Sequence, residues 1–153
     1  EDGLEAWRFN AFRFIQGYEA WQSNGDWITK AKPEFGPGVA ERFAAAATIT
    51  EAEFAAASRL RETIRERVRG VLDANTVLCL PSAAGAAPLK GTPPDDLEPF
   101  RNATLSMCCI AGLSGLPQIS LPRAMVDGAP LGISLIAQAG GDEMLLQAAL
   151  DIR

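Results

Sequence analysis

The sequence predicts an α/β fold in which a mainly helical part, residues 1–74, leads into strands alternating with helices, residues 75–153. Three observations carry that expectation. Apolar residues recur at spacings of three and four through most of the first part. After them come short apolar runs of strand length, each bounded by Pro or Gly. The composition is globular, with 48% hydrophobic and 22% charged residues in a chain of 153, enough to enclose one core. No internal repeat, low-complexity tract or flexible linker divides residues 1–153 into two domains.

Leu4, Trp7, Ala11, Phe14, Ile15, Tyr18 and Trp21 fall mostly at helical spacing. They predict an amphipathic helix with an aromatic-heavy face that ends near Ser23-Asn24-Gly25. Such a face serves core packing; its alternative use is the wall of a hydrophobic ligand pocket. Gly36-Pro37-Gly38 breaks the chain, and a short helix is expected around Val39 to Ala47. Thr50-Glu51-Ala52-Glu53 reads as a capping box. The helix it starts is expected to reach about Asp73. Phe54, Ala57, Leu60, Ile64, Val68, Val71 and Leu72 would turn mostly to the core. Glu62 would pair with Arg65 and Glu66 with Arg69 on the outside.

Thr76 to Leu80 is a short apolar run that suits a strand buried on both faces, stopped by Pro81. From Ser82 to Asp96 the residues turn to Ala, Gly, Pro and Asp. That loop is long for a mere connection, which points to function. Asp95 or Asp96 would cap a helix over Leu97 to about Gly112. Leu116 to Leu121 is expected as a second strand closed by Pro122. Asp127-Gly128 is expected as a turn, and Leu131 to Ala137 as a third strand. Asp142 would cap a last helix, Glu143 to Ile152.

Several chemistries are excluded by what the chain lacks. It contains no histidine, so it cannot build a Ser-His-Asp or Cys-His arrangement from its own residues. Gly112-Leu113-Ser114-Gly115 misses the nucleophile-elbow spacing by one residue and reads as a helix stop followed by a turn. No dinucleotide-binding glycine fingerprint and no P-loop occurs. The acidic residues are scattered, so no metal site and no cofactor is expected. The net charge of −5 gives no support for nucleic acid or an anionic membrane as partner. No apolar run approaches the length needed to span a bilayer, and no stretch has a signal-peptide layout. Cys79, Cys108 and Cys109 form neither a disulfide framework nor a zinc spacing. Buried reduced thiols and a cytoplasmic location are the expectation.

Between Val77 and Leu150 a series of anchors follows in order. Leu80-Pro81-Ser82 leads into Gly85-Ala86-Ala87-Pro88. Ile110-Ala111-Gly112 precedes Gly115-Leu116-Pro117-Gln118-Ile119-Ser120-Leu121-Pro122. Asp127-Gly128-Ala129-Pro130-Leu131-Gly132 enters the last strand, and Leu145-Leu146 open the apolar face of the last helix. This succession resembles the C-terminal portion of the amidase-signature family. The resemblance implies part of that α/β fold, a mixed sheet core flanked by helices and incomplete in this chain. In addition, Ile15-Gln16-Gly17-Tyr18-Glu19 and Lys32-Pro33-Glu34 are similar to indoleacetamide-hydrolase-like members. That likeness implies aryl or alkyl amides as substrates, with an acid and ammonia as products.

In the family this chain resembles, a Ser nucleophile, a second Ser and a Lys do the chemistry, without histidine. The chain has only Lys30, Lys32 and Lys90 and no Gly-Gly-Ser-Ser run. Ser82, Ser106, Ser114, Ser120 and Ser134 do not match the motif, so no catalytic role is assigned to any residue. The resemblance therefore implies part of an amidase that is inactive alone and needs an N-terminal portion of the same fold. A small-molecule amide would be the substrate of the complete enzyme, and a homodimer is one expected arrangement. Trp7 and Phe14 on the first helix and Pro81, Ser82 and Gly85 on the long loop are the substrate-pocket candidates. The alternatives are a non-catalytic docking module of the same architecture and a glutamine-hydrolysing amidotransferase subunit. Alone, the piece would leave open sheet edges and an apolar face.

Overall fold

The computed structural model describes residues 3–152. Glu1, Asp2 and Arg153, at the two ends of the expected domain, lie outside the described residues. The chain opens with α1 (Leu4–Trp7), passes through one π-helical stretch (Arg8–Phe12) and continues as α2 (Arg13–Ala31). The expected stop at Ser23-Asn24-Gly25 does not occur. Asn24 donates its amide to the Ala20 carbonyl at 2.9 Å and Thr29 its hydroxyl to the Gly25 carbonyl at 2.7 Å, so polar side chains are satisfied on the helix itself. Gly25 is buried because the Trp21 ring lies over it; a Cβ there would sit 2.8 Å from Trp21 Cε2. The glycine is a packing choice and not a terminator. The helix ends instead at Lys32, left-handed at φ 46°, directly before Pro33.

Helix α3 (Val39–Ala47) forms where expected, and α4 (Glu51–Arg69) starts at the expected capping box. Thr50 Oγ1 accepts from the Glu53 amide at 3.2 Å, and the Glu53 carboxylate accepts the Thr50 amide at 2.8 Å. Helix α4 stops at Arg69, four residues short of Asp73, and Val71 is exposed in the turn beyond it. Glu62 pairs with Arg65 at 2.9 Å. Arg69 turns instead to the carbonyls of Ser114 and Gly115, at 3.0 and 3.3 Å. It thereby satisfies orphan acceptors at the end of the next helix.

The three strands are β1 (Leu78–Pro81), β2 (Gln118–Val126) and β3 (Ala129–Ile136). They pair antiparallel in the order β1-β3-β2. β1 is covered on one face only, against the expectation of two. Leu78 and Leu80 point to the core, whereas Cys79 and Pro81 are exposed. Nor does Pro122 close β2, which runs on to Val126 through a bulge between Leu121 and Ala124. A proline without a donor is tolerated at such a bulge on an edge strand. Asp127 and Gly128, at φ 49° and 77°, make the tight hairpin turn to β3.

Helix α5 (Pro94–Ser114) precedes β2, and α6 (Asp142–Asp151) closes the chain. Neither uses the expected aspartate cap. Pro93 and Gly141 occupy the cap positions, and Asp95, Asp96 and Asp142 sit in the first turns, where their charge favours the helix dipole. Gly115, at φ 62°, stops α5 two residues beyond the expected end at Gly112, so Leu113 and Ser114 are helical and not part of a turn. One core lies between β1, β3 and the helices, around Ala11, Ile15, Ile64, Val68, Cys109, Leu113 and Ile136. A smaller one on the other sheet face gathers Leu135, Ala137 and Leu145 with Ile119 and Leu121. Leu146, expected to join Leu145 on that face, is exposed.

Candidate functional site

The long loop leaves β1 at Ser82, and the strand ladder carries it one residue past Pro81. The Ser82 amide donates to the Gly132 carbonyl at 2.8 Å. Gly132 is what lets the two chains meet there, since a Cβ on it would sit 2.7 Å from Ser82 Oγ. In the β2–β3 register Ser120 stands opposite Ser134. Three hydroxyls therefore converge: Ser82 Oγ lies 2.9 Å from Ser120 Oγ and 2.8 Å from Ser134 Oγ, and Ser120 Oγ lies 3.0 Å from Ser134 Oγ. Gln118 Nε2 donates to Ser134 Oγ at 2.9 Å. Ser134 is wholly buried; Ser82 and Ser120 line an open cleft of about 260 Å³ with Leu121, Pro130, Leu131 and Gly132.

Helix α5 braces the loop. The Cys108 thiol donates to the Ser82 carbonyl at 3.3 Å, and the Ala84 amide donates to Thr104 Oγ1 at 3.1 Å. Burial pushes the Cys108 thiol up from its ordinary value and the neighbouring Cys109 to about 11, so both are protonated at neutral pH. None of the cleft's lining residues is ionisable. Among the described residues no group of His, Cys, Asp and Glu could hold a metal ion. The arrangement can hold a polar group by hydrogen bonding, and it has no base beside a serine to activate it.

Of the pocket candidates, Ser82 lies at the cleft, Pro81 is the exposed end of β1, and Gly85 follows in the loop near Phe100. Trp7 and Phe14 are elsewhere. Both pack half-buried against the main core, with the Arg67 guanidinium 6.0 Å from the Trp7 ring and that of Arg13 4.9 Å from Phe14. Ser120, Ser134 and Gln118 were not among the candidates. Their signal was the polar–apolar alternation Gln118-Ile119-Ser120-Leu121, which puts Gln118 and Ser120 on one face.

Comparison with known proteins adds the family. The family model described as "Amidase" matches residues 14–146. "Amidase 1" of Arabidopsis thaliana is 31% identical over 90% of this chain and 32% of its own length. "Translocon at the outer membrane of chloroplasts 64" of Pisum sativum is 28% identical, over 90% of this chain and 23% of its length. A solved structure titled "Crystal structure of amidase" superposes with a TM-score of 0.80 at 28% identity, covering 94% of this chain and 33% of that one. The chain thus spans about a third or less of the length of the curated relatives it matches. It belongs to the amidase family.

Proposed function

We propose that this chain is the C-terminal part of an amide hydrolase that converts a linear carboxamide to a carboxylic acid and ammonia. The supporting observation is the family match across residues 14–146 in a chain that spans about a third of its amidase relatives. The family's Ser-Ser-Lys chemistry belongs to a portion of the same fold outside these 153 residues, and this chain completes the sheet and walls one side of the acyl pocket. Its own clustered serines have no base among the residues lining their cleft, which supports that division of labour. The loop with Pro81, Ser82 and Gly85 forms one stretch of the wall, and the first helix with Trp7 and Phe14 another. The unpaired thiols Cys79, Cys108 and Cys109 support a cytoplasmic setting.

The test is ammonia release from benzamide, indole-3-acetamide and glutamine. It is measured for the 153-residue chain and for the full polypeptide encoded with it. No release from the first and turnover by the second is the expected result. Turnover by the 153 residues alone refutes the division of labour, and an inert full polypeptide refutes the hydrolase. That last outcome is what a second reading predicts: a docking module without activity, favoured by the likeness to the pea translocon protein. Trp7→Ala or Phe14→Ala in the active polypeptide shifts the kcat/KM ratio between aryl and alkyl amides if they are pocket wall. A change in stability alone makes them core.

A further inference from the structure

The hydroxyl ring of Ser82, Ser120 and Ser134 has a proton count that fixes what it can bind. Each hydroxyl carries one proton and two lone pairs. All three oxygen–oxygen separations, 2.8 to 3.0 Å, are hydrogen bonds. Three bonds need three protons, so every hydroxyl donates once and the ring runs in one direction. No hydroxyl donor is left over. Of the six lone pairs the ring uses three, and the Gln118 amide takes a fourth, on Ser134. Two lone pairs remain, one on Ser82 and one on Ser120. These are the two serines that line the cleft, whereas Ser134 is buried behind them.

We propose that the cleft between β1 and the β2–β3 hairpin is a binding site for the NH2 group of a primary carboxamide, accepted by Ser82 Oγ and Ser120 Oγ. The rest of the lining, Leu121, Pro122, Pro130 and Leu131, is apolar and suits a small hydrocarbon group on that amide. An anion or a lone carbonyl finds no donor in the intact ring, so the ring selects a hydrogen-bond donor, and the amide-hydrolase reading makes that donor an N–H. The inference rests on the amide-hydrolase reading for its choice of ligand and deepens it by naming side chains that face the substrate nitrogen.

The experiment is a titration of the ¹⁵N-labelled 153-residue chain, followed by the backbone amide resonances of Ser82, Ser120, Leu121 and Gly132. The probes are propionamide and N,N-dimethylpropionamide, which has no N–H. Propionamide shifts these resonances saturably, and the dimethyl compound binds roughly five- to a hundred-fold more weakly, the worth of two neutral hydrogen bonds. Ser120→Ala, at an exposed position, removes one of the two acceptors and cuts that difference several-fold. Equal affinity of the two for the unaltered chain, or no response to propionamide, overturns the site. Should the variant not fold, the comparison on the unaltered chain decides alone. Binding without turnover in the ammonia assay refutes only the hydrolase; turnover without discrimination here refutes only the site.

Discussion

Replacing Gly132 by Ala tests how the serine ring is built. The new Cβ would lie 2.7 Å from Ser82 Oγ and 2.9 Å from Ser82 Cβ, well inside contact distance. Gly132 is not among the positive-φ glycines, so alanine can adopt its backbone and the collision is purely one of space. Ser82 cannot retreat freely, because its amide is held on the Gly132 carbonyl at 2.8 Å and its carbonyl accepts from Cys108. Moving the side chain aside breaks its bonds to Ser120 and Ser134, each worth roughly 0.5–1.5 kcal/mol. Alanine returns about 0.4–1 kcal/mol through the stiffer unfolded chain. At the midpoints of these two ranges a net loss of about 1.3 kcal/mol is expected, read as a lower urea midpoint with the slope unchanged. Ser82→Gly removes both colliding atoms, so the double variant should show a coupling of at least roughly 0.5 kcal/mol. A Gly132→Ala protein within about 0.5 kcal/mol of the parent, or strict additivity in the cycle, refutes the close-approach reasoning.

Four further outcomes follow from the same contacts. Thr50→Ala removes the side-chain half of the capping box and lowers the melting midpoint by about 2–4 °C, read by circular dichroism. Glu53 is held below the usual carboxylate range, first by the Thr50 backbone N–H and then by its hydroxyl. Because the folded value is the lower one, the stabilisation is complete above the unfolded value and vanishes as pH falls through the folded one. Glu53→Gln should therefore flatten the acid limb of a stability–pH profile, and an unchanged limb counts against it. In a thiol-labelling time course at pH 8, exposed Cys79 reacts first and buried Cys109, pushed up to about 11, last; simultaneous labelling of both in the folded chain contradicts the burial. Finally, Arg8 Nε and Nη1 are buried with no hydrogen-bond acceptor among the described residues, and the Phe9 and Phe12 ring centroids lie 5.4 and 5.7 Å from the guanidinium carbon. Arg8→Met is expected to leave thermal stability unchanged or raise it; a loss above roughly 1 kcal/mol means the ring contacts outweigh the desolvation.

Local chemistry was legible in the sequence wherever a residue's partner lies within a few positions. Thr50 and Glu53 cap one helix across three residues, and Asp127-Gly128 form the hairpin turn they predict. The misreadings share one cause, which is that a tertiary contact decided between two local meanings. The exception is Gly25, which reads as a stop although its cover, Trp21, lies one turn back on the same helix. Pro122 closes a strand unless a bulge takes the lost donor out of the ladder. The apolar run at β1 is silent about how many faces are covered, and Cys79 stays exposed on a sheet whose α6 packs against β2. The serine ring is the extreme case. Its members stand 38 and 52 residues from Ser82, and strand alternation gives the face of Ser120 without giving its neighbour. Only the register, Ser120 opposite Ser134, and the missing Cβ of Gly132 bring the three together. A site made by register and by an absent side chain leaves almost no trace in residue types. The family resemblance consequently marked Ser82 through its place after Pro81 and passed over the two hydroxyls that complete it.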